Sequence, residues 1–149
     1  MSDYSHILLA VDFSPASAQV AGRAQGLVSR YQCRMTILHV VDYLPPVGFS
    51  DDFTPSPALL LDERELVASG RRTLARFASE QGLQERPQEV LIGAPHHEIV
   101  RYASDNGVDL IVVGSHGRHG LGRLLGSTAA AVVGHSHCDV LAVRIDERA

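Results

Sequence analysis

The chain has 149 residues, a length that suits a single domain with a core large enough to fold without disulfide or metal support. Its formal net charge is −4, so we expect no general attraction to nucleic acid or to an anionic membrane surface. No apolar run is long enough to span a bilayer, and the first four residues do not resemble a signal peptide. We therefore expect one cytoplasmic domain over residues 1–149.

The basic residues are all arginine, because the sequence contains no lysine. This composition excludes a Walker-type phosphate-loop lysine and a Schiff-base mechanism. The chain has two cysteines, Cys33 and Cys138, which are too few for a disulfide framework.

Five short, almost continuously apolar runs predict parallel strands that are covered on both faces. Segments with helical periodicity separate these runs. Because strands and helices alternate along the whole chain, we expect right-handed crossovers and a doubly wound α/β sheet. The predicted strands are residues 7–11, 35–41, 89–92, 110–113 and 140–143.

The predicted helices begin and end at recognisable residues. Ser14 and Pro15 are typical of an N-cap followed by a first-turn proline, so a helix is expected to begin there. A second helix is expected to end near Gly82, and a fourth to begin at Ser127. The longest irregular segment, residues 42–57, holds four of the seven prolines. It is either a flap over a site or a surface insertion.

A glycine-rich segment, residues 114–128, follows the fourth apolar run and leads into an alanine-rich helix. Glycines let backbone N–H groups approach an anion, and the helix N-terminus adds partial positive charge. Arg118 and Arg123 add full charges, and Ser127 and Thr128 form an N-cap pair with hydroxyls to donate. The pattern predicts a phosphate-binding loop. The alternative is a set of turn glycines with positive φ and no ligand.

Asp12 follows the first strand directly. Ligands of open α/β sheets lie beyond the carboxyl ends of the strands, so Asp12 would face the glycine-rich segment if the first and fourth strands were neighbours. A carboxylate at that place could bind a ribose hydroxyl or help to hold Mg²⁺ beside phosphates. Alternatively, it satisfies backbone N–H groups at the start of a helix.

The histidines do not predict a metal site. Residues 135–138 contain two histidines and a cysteine, but adjacent ligands in one short loop rarely complete a tetrahedral shell. His96 and His97 lie in the first turn of a predicted helix, where we expect them to be solvated. His116 and His119 lie inside the glycine-rich segment, where they could contact a phosphate or simply be exposed.

Taken together, these segments resemble the universal stress protein family (UspA-like) over essentially the full length. The matching segments are residues 6–14, 37–42, 93–100, 114–128 and 138–144. The resemblance implies a Rossmann-like, adenine nucleotide alpha hydrolase-like sheet with strand order 3-2-1-4-5. With that order, Cys33 and Cys138 would start strands three places apart, roughly 14 Å, which is too far for a disulfide.

The resemblance also implies a homodimer that pairs through the last strand. Val140 begins this apolar segment and Ile145 ends it. An edge strand leaves backbone groups unpaired, and a second copy about a two-fold axis would satisfy them. The alternative is a monomer whose edge is shielded by the charged residues 146–148.

The resemblance to the nucleotide-binding branch of that family implies that ATP binds in the crevice beyond the carboxyl ends of the strands. AMP or ADP are alternatives, and Mg²⁺ would accompany ATP. Asp12 would contact ribose or phosphate, and the backbone of Val40 would bind adenine. The glycines and the hydroxyl residues after them would hold ribose and phosphates. The complete implied set is Ala10, Asp12, Val40, Gly114, Gly117, Arg118, Gly126, Ser127 and Thr128.

One spacing departs from that branch. Eight residues separate Gly117 from Gly126, whereas the ATP-binding branch has one residue more between the corresponding glycines. The family's founding branch holds no nucleotide and lacks these glycines. The leading hypothesis is a stress-response protein that binds ATP as a regulatory ligand with little or no hydrolysis. The alternative is a dimeric adaptor with a vestigial crevice. An enzyme that releases pyrophosphate is not expected, because no lysine is present to neutralise the leaving group.

Overall fold

The fold is built on a five-stranded parallel sheet with the order β3-β2-β1-β4-β5. The computed structural model describes residues 3–43, 57–116 and 125–145. The strand order and the alternation of strands with helices confirm the predicted doubly wound architecture. In chain order the elements are β1 (His6–Ala10), α1 (Ser17–Tyr31), β2 (Arg34–Asp42), α2 (Pro57–Glu80), β3 (Gln88–Gly93), α3 (Pro95–Asp105), β4 (Leu110–Gly114), α4 (Ser127–His135) and β5 (Asp139–Val143).

The strands form where the apolar runs predict them, to within one residue at either end. The central strand β1 pairs with β2 on one side, where Ile7 lies opposite Met35. On the other side it pairs with β4, where Ile7 lies opposite Leu110. Because β1 has a strand on each side and helices on each face, its first four residues are all buried.

The helices cover both faces of the sheet. Val20 of α1 and Leu74 of α2 belong to one hydrophobic core, together with Leu9 of β1. Ile99 of α3 and residues of α4 belong to the other, together with Leu8 of β1. Neighbouring residues of one strand therefore contribute to opposite cores, as the alternation of side chains in a strand requires.

The predicted start of α1 is wrong. The helix begins at Ser17 with Ala16 as its N-cap, and no side chain within the described ranges caps it. Ser14 instead donates its amide to the Asp12 carboxylate, and its carbonyl accepts a hydrogen bond from the Ser17 amide at 3.0 Å. The chain around Pro15 is therefore a turn, because the Asp12 side chain satisfies the amide ahead of the helix.

At the amino ends of the strands, Asp109 joins the start of β1 to the start of β4. Its carboxylate accepts hydrogen bonds from the Ser5 amide at 2.8 Å, the Ser5 hydroxyl at 2.9 Å and the His6 amide at 3.0 Å. Burial by itself would raise the pKa of the Asp109 carboxyl, but these hydrogen bonds outweigh burial and hold the pKa below its usual value.

No helix among the described residues has the length and apolar character needed to cross a membrane. Cys33 precedes β2 and Cys138 precedes β5, and both are free thiols. Burial raises the pKa of each thiol.

Candidate functional site

A cavity of about 670 Å³ opens at the carboxyl ends of β1, β2 and β4. This volume lies within the range of roughly 300–1,000 Å³ that small-molecule sites occupy. The first residues of α3 and α4 complete its walls. It lies where the strand order reverses between β1 and β4, which is the place where open α/β sheets bind their ligands. We refer to it below as the crevice.

Most of the residues that the family resemblance assigns to a nucleotide line this one crevice. Gly117 and Arg118 lie outside the described residues, as do His119, Arg123 and most of the irregular segment between β2 and α2. The residues of the implied set that line the crevice are Ala10, Asp12, Val40, Gly114, Gly126, Ser127 and Thr128.

Asp12 uses one carboxylate oxygen within the chain. Its Oδ1 accepts a hydrogen bond from the Ser14 amide at 2.9 Å and from the Ser17 hydroxyl at 3.1 Å. This is the helix-start role that the sequence leaves open as an alternative. Oδ2 has no hydrogen bond to any residue that the structure describes, and Asp12 lines the crevice. The carboxylate can therefore hold the turn with one oxygen and offer the other to a ligand.

The residue after Asp12 adopts a backbone conformation that is rare for a large side chain. Phe13 has φ of 59°, in the left-handed region. Its ring packs against His39 with a centroid distance of 4.1 Å and against Phe77 at 6.2 Å. The packing of this ring compensates for the backbone strain and turns the chain sharply at the mouth of the crevice.

Close packing around Gly114 favours a glycine at this position, and the sequence alone does not reveal this packing. Its φ is not positive. A Cβ atom at this position would lie 3.3 Å from Val20 Cγ2 and 3.6 Å from Ile145 Cδ1. The space beside Gly114 is therefore filled by the side chains of Val20, in α1, and of Ile145, two residues beyond the end of β5. The need for close packing, rather than a bound anion alone, favours glycine here.

The backbone N–H of Gly126 is already used within the chain. It donates to the carbonyl oxygen of Ser115 at 2.7 Å and so closes the glycine-rich loop. Gly126 is also the N-cap of α4, with extended backbone angles of −61° and 159°. The predicted N-cap pair is thus wrong in its register: Ser127 and Thr128 are the first two helical residues, because Gly126 takes the extended conformation that an N-cap needs.

No side chain of the described residues caps the N-terminus of α4. The amides of its first turn precede the first intrahelical hydrogen bond, from the Ala130 amide to the Gly126 carbonyl. Ser127, Thr128 and Ala129 all line the crevice. A helix end with a partial positive charge, whose first amides have no hydrogen-bond partner in the described part of the chain, therefore faces this space, and such an arrangement is suited to an anion.

The charged side chains in the described wall of the crevice are acidic. Asp12 and Asp42 both line it, together with the imidazoles of His39 and His116. No arginine of the described residues contributes to the wall. Two carboxylates opposite a positive helix end suit a divalent cation bound together with an anion better than an anion alone.

The other histidines do not assemble into a metal centre. His97, His135 and His137 are exposed. His96 is partly buried, and its ring centroid lies 6.1 Å from that of His135. Within the described ranges, no group of three or more histidine, cysteine or carboxylate side chains could hold a metal ion.

Ser17, His39 and Ser115 are three of the six polar residues of the crevice wall that are absent from the predicted set. Ser17 bonds Asp12, His39 packs on Phe13, and Ser115 is buried behind the end of β4. The sequence carries a sign of one of them, since His39 is a titratable residue inside an otherwise apolar strand. Ser17 and Ser115 are ordinary serines in the sequence, and only the fold gives them their places.

A parallel sheet of this order, with its crevice at the point where the strand order reverses, defines a Rossmann-like α/β protein. The sequence model of the Universal stress protein family matches residues 3–144. The chain belongs to the universal stress protein family.

Individual relatives agree with this assignment. Universal stress protein A homolog 1 of Coxiella burnetii is 35% identical over 144 residues, which cover 97% of this chain and 99% of the relative. The structure of universal stress protein UspA from Lactobacillus plantarum is 30% identical, with a TM-score of 0.69, and covers 96% of this chain and 98% of its own. A universal stress protein solved in complex with cAMP is 26% identical, with a TM-score of 0.66, over 97% and 100% of the two chains.

Proposed function

We propose that this protein is a cytoplasmic, homodimeric universal stress protein that binds ATP in the crevice as a regulatory ligand, with little or no hydrolysis. AMP and ADP would occupy the same place. The observation that carries the proposal is that the uncapped N-terminus of α4 and the Asp12 carboxylate line one cavity with Val40. The relative that was solved with cAMP supports an adenine nucleotide as the ligand.

The base would lie against the apolar part of the wall. Ala10, Leu38, Val40 and Ile99 contribute to it, so a flat aromatic base would bury apolar surface there. Val40 belongs to β2, and its backbone would provide the hydrogen bonds that select adenine. The ribose would then lie near Asp12, whose Oδ2 accepts no hydrogen bond from the described residues.

The phosphates would lie at the start of α4. The amides of Ser127, Thr128 and Ala129 and the two hydroxyls would donate hydrogen bonds to their oxygens. The carboxylates of Asp12 and Asp42 repel a bare triphosphate, so we propose that Mg²⁺ accompanies ATP and reduces this repulsion. Arg118 and Gly117, outside the described residues, would complete the phosphate contacts.

A regulatory role fits the titratable groups of the wall better than catalysis does. A general base must reach a nucleophile, but Nδ1 of His39 already donates to the Val11 carbonyl oxygen at 2.8 Å. Nδ1 of His116 is bonded to the Ser115 hydroxyl at 3.0 Å. Asp12 holds the start of α1 with one of its two oxygens.

Thermal unfolding with and without Mg-ATP tests the proposal. Ligand at a hundredfold excess over its Kd would add about 2.7 kcal/mol to the free energy of unfolding. For a domain of this size we expect Tm to rise by roughly 5–11 °C. EDTA should reduce the shift, because it removes the cation that separates phosphates from carboxylates. An unchanged Tm at millimolar Mg-ATP would contradict nucleotide binding.

Asp12→Asn is the matched variant for this experiment. The amide oxygen of Asn can still accept from the Ser14 amide and the Ser17 hydroxyl, so the variant should fold with nearly the same stability. It removes one of the two charges that repel a bare triphosphate. We therefore expect the difference between Mg-ATP and ATP in EDTA to shrink in Asp12→Asn while the apo Tm stays close to that of the native chain.

The second candidate is a dimeric adaptor whose crevice binds no nucleotide. It is favoured by the Gly126 amide, which is bonded to Ser115 and so is unavailable to a phosphate, and by the packing of Val20 against Gly114. The variant Thr128→Glu separates the two functions, because it places a carboxylate at the start of α4. Loss of stress protection in cells that carry this variant supports the nucleotide function, and full protection supports the adaptor.

A further inference from the structure

Ser115 is fixed on two sides by its backbone. Its amide donates to the Val143 carbonyl oxygen at 2.8 Å, and its own carbonyl accepts from the Gly126 amide at 2.7 Å. Its residue surface is only 5% exposed. The position of the Ser115 hydroxyl is therefore set by β5 on one side and by the start of α4 on the other.

The hydrogen bonds of this hydroxyl can be assigned by counting donors and acceptors. The Ile145 amide can only donate, so Oγ of Ser115 accepts from it, at 3.4 Å. The remaining partner of Oγ is Nδ1 of His116, at 3.0 Å. Among the described residues, this nitrogen is the acceptor available to the serine proton. The hydroxyl then donates to Nδ1, which must carry a lone pair, so a neutral His116 ring carries its proton on Nε2.

Nε2 of His116 is shielded from solvent and has no hydrogen-bond partner in the described part of the chain. Buried polar atoms without partners are rare, and each requires an explanation. His116 lines the crevice together with Ser127 and Thr128 at the start of α4. His116 thus brings a shielded N–H, which has no acceptor among the described residues, to the wall that we assign to the phosphates.

We infer that Ser115 holds His116 in the Nε2–H tautomer, and that this N–H donates a hydrogen bond to a phosphate oxygen of the ligand. The inference deepens the proposed function and rests on it for the identity of the ligand. It makes His116 a phosphate contact and not a metal ligand, since a metal would need a bare Nε2. Ser115 acts as a positioning residue through the ring that it orients.

The tautomer is measured in the ligand-free protein by long-range ¹H–¹⁵N correlation spectra of the histidine rings at mildly alkaline pH. The His116 signals are those that disappear in His116→Gln. We expect Nε2 to be the protonated nitrogen in the native chain, and a mixture of both tautomers in Ser115→Ala. A protonated Nδ1 in the native chain, or identical spectra with and without the Ser115 hydroxyl, would overturn the inference.

The contact is measured by the affinities of two variants for Mg-ATP. Gln can present an amide N–H near the place of Nε2, whereas Leu has no donor. His116→Leu should bind about 10- to 100-fold more weakly, and His116→Gln should stay within about threefold of the native chain. Adenosine, which has no phosphate, should bind all three proteins equally. Equal affinities of the Leu and Gln variants for Mg-ATP would contradict a role as donor.

Pyrophosphate separates failure of the inference from failure of the proposed function. If the native chain does not bind Mg-ATP, the nucleotide proposal is wrong, but pyrophosphate can still be titrated against the His116 signals. A shift of the Nε2 signal at millimolar pyrophosphate supports the donor role towards phosphate oxygens. If neither Mg-ATP nor pyrophosphate moves that signal, the inference is wrong as well.

Discussion

Nδ1 of His39 lies 2.8 Å from the carbonyl oxygen of Val11, the residue before Asp12. A carbonyl only accepts, so Nδ1 carries the proton and donates it. The Val11 amide in turn donates to the Leu38 carbonyl oxygen at 2.9 Å. Strand β2 therefore holds Val11 by both its N–H and its C=O, and the direction in which the chain delivers Asp12 to the crevice is fixed.

Two variants of His39 separate this hydrogen bond from the ring contact. His39→Phe keeps a ring beside Phe13 but removes the donor to the Val11 carbonyl. We expect a loss of about 1–3 kcal/mol in the free energy of unfolding, measured in urea, because a partly buried carbonyl loses a hydrogen bond. If Asp12 binds nucleotide, His39→Phe should also weaken the binding of Mg-ATP.

His39→Asn is the matched control, because its amide nitrogen can occupy the place of Nδ1 while the ring is lost. The Asn variant should be destabilised through packing and yet bind Mg-ATP more tightly than His39→Phe. If the two variants bind equally, the hydrogen bond to Val11 does not position Asp12.

A separate prediction concerns the backbone of Phe13, whose φ of 59° disfavours any residue with a Cβ atom. Phe13→Ala loses the ring and keeps the strain, whereas Phe13→Gly loses the ring and relieves it. We expect the Gly variant to be about 1 kcal/mol more stable than the Ala variant, which reverses their usual order inside regular structure. Urea midpoints of the two variants at equal m-values measure this difference. A more stable Ala variant would contradict the left-handed conformation.

The strands could be predicted from the sequence to within a residue, and the start of α4 at Ser127 could be predicted too, whereas the start of α1 could not. A short, continuous apolar run between polar segments is typical of a strand that is buried inside a parallel sheet, so residues 110–113 are predicted as a strand without ambiguity. Ser14 and Pro15 have the composition of a helix start, but the Asp12 side chain satisfies the Ser14 amide first. Which residue caps a helix depends on the acceptors nearby, and the sequence does not show them.

The residues of the crevice could also be predicted only in part from the sequence. Asp12 could be placed by reasoning, since it directly follows a strand whose carboxyl end should face the ligand. The role of the Val40 backbone comes from the family resemblance alone. The assignment of the Ser115 hydroxyl requires the Ile145 amide, which lies thirty residues along the chain and reaches it only because β4 pairs with β5.

Asp109 makes the stability depend on pH in acid. Hydrogen bonds from Ser5 and His6 hold its pKa below the ordinary value, so the folded chain binds this proton less readily than the unfolded chain does. The contribution is complete above the unfolded pKa of about 3.9 and is lost as the pH falls through the folded value. Asp109→Asn should therefore lower the free energy of unfolding at neutral pH and flatten its decline in acid.

Urea unfolding of the native chain and of Asp109→Asn over a series of pH values measures this difference. Asp105→Asn is the control, because Asp105 is an exposed carboxylate on the neighbouring helix end. Its acid decline should parallel that of the native chain. Parallel curves for Asp109→Asn would show that the hydrogen-bonded carboxylate does not contribute to the acid dependence.

The proposed dimer can be tested on the open edge of β5. The Val143 carbonyl points towards the β4 side, because it accepts a hydrogen bond from the Ser115 amide in the segment after β4. Since the backbone groups of successive residues point to opposite sides of a strand, those of Ala142 point to the open edge. Ala142→Pro removes one edge N–H and spares the ladder to β4, as prolines in edge strands do. We expect a folded monomer by native mass measurement, whereas Ala142→Ser should remain dimeric. A dimer that survives Ala142→Pro does not form by pairing of β5, and a native chain that is monomeric at all concentrations removes the dimer from the proposal.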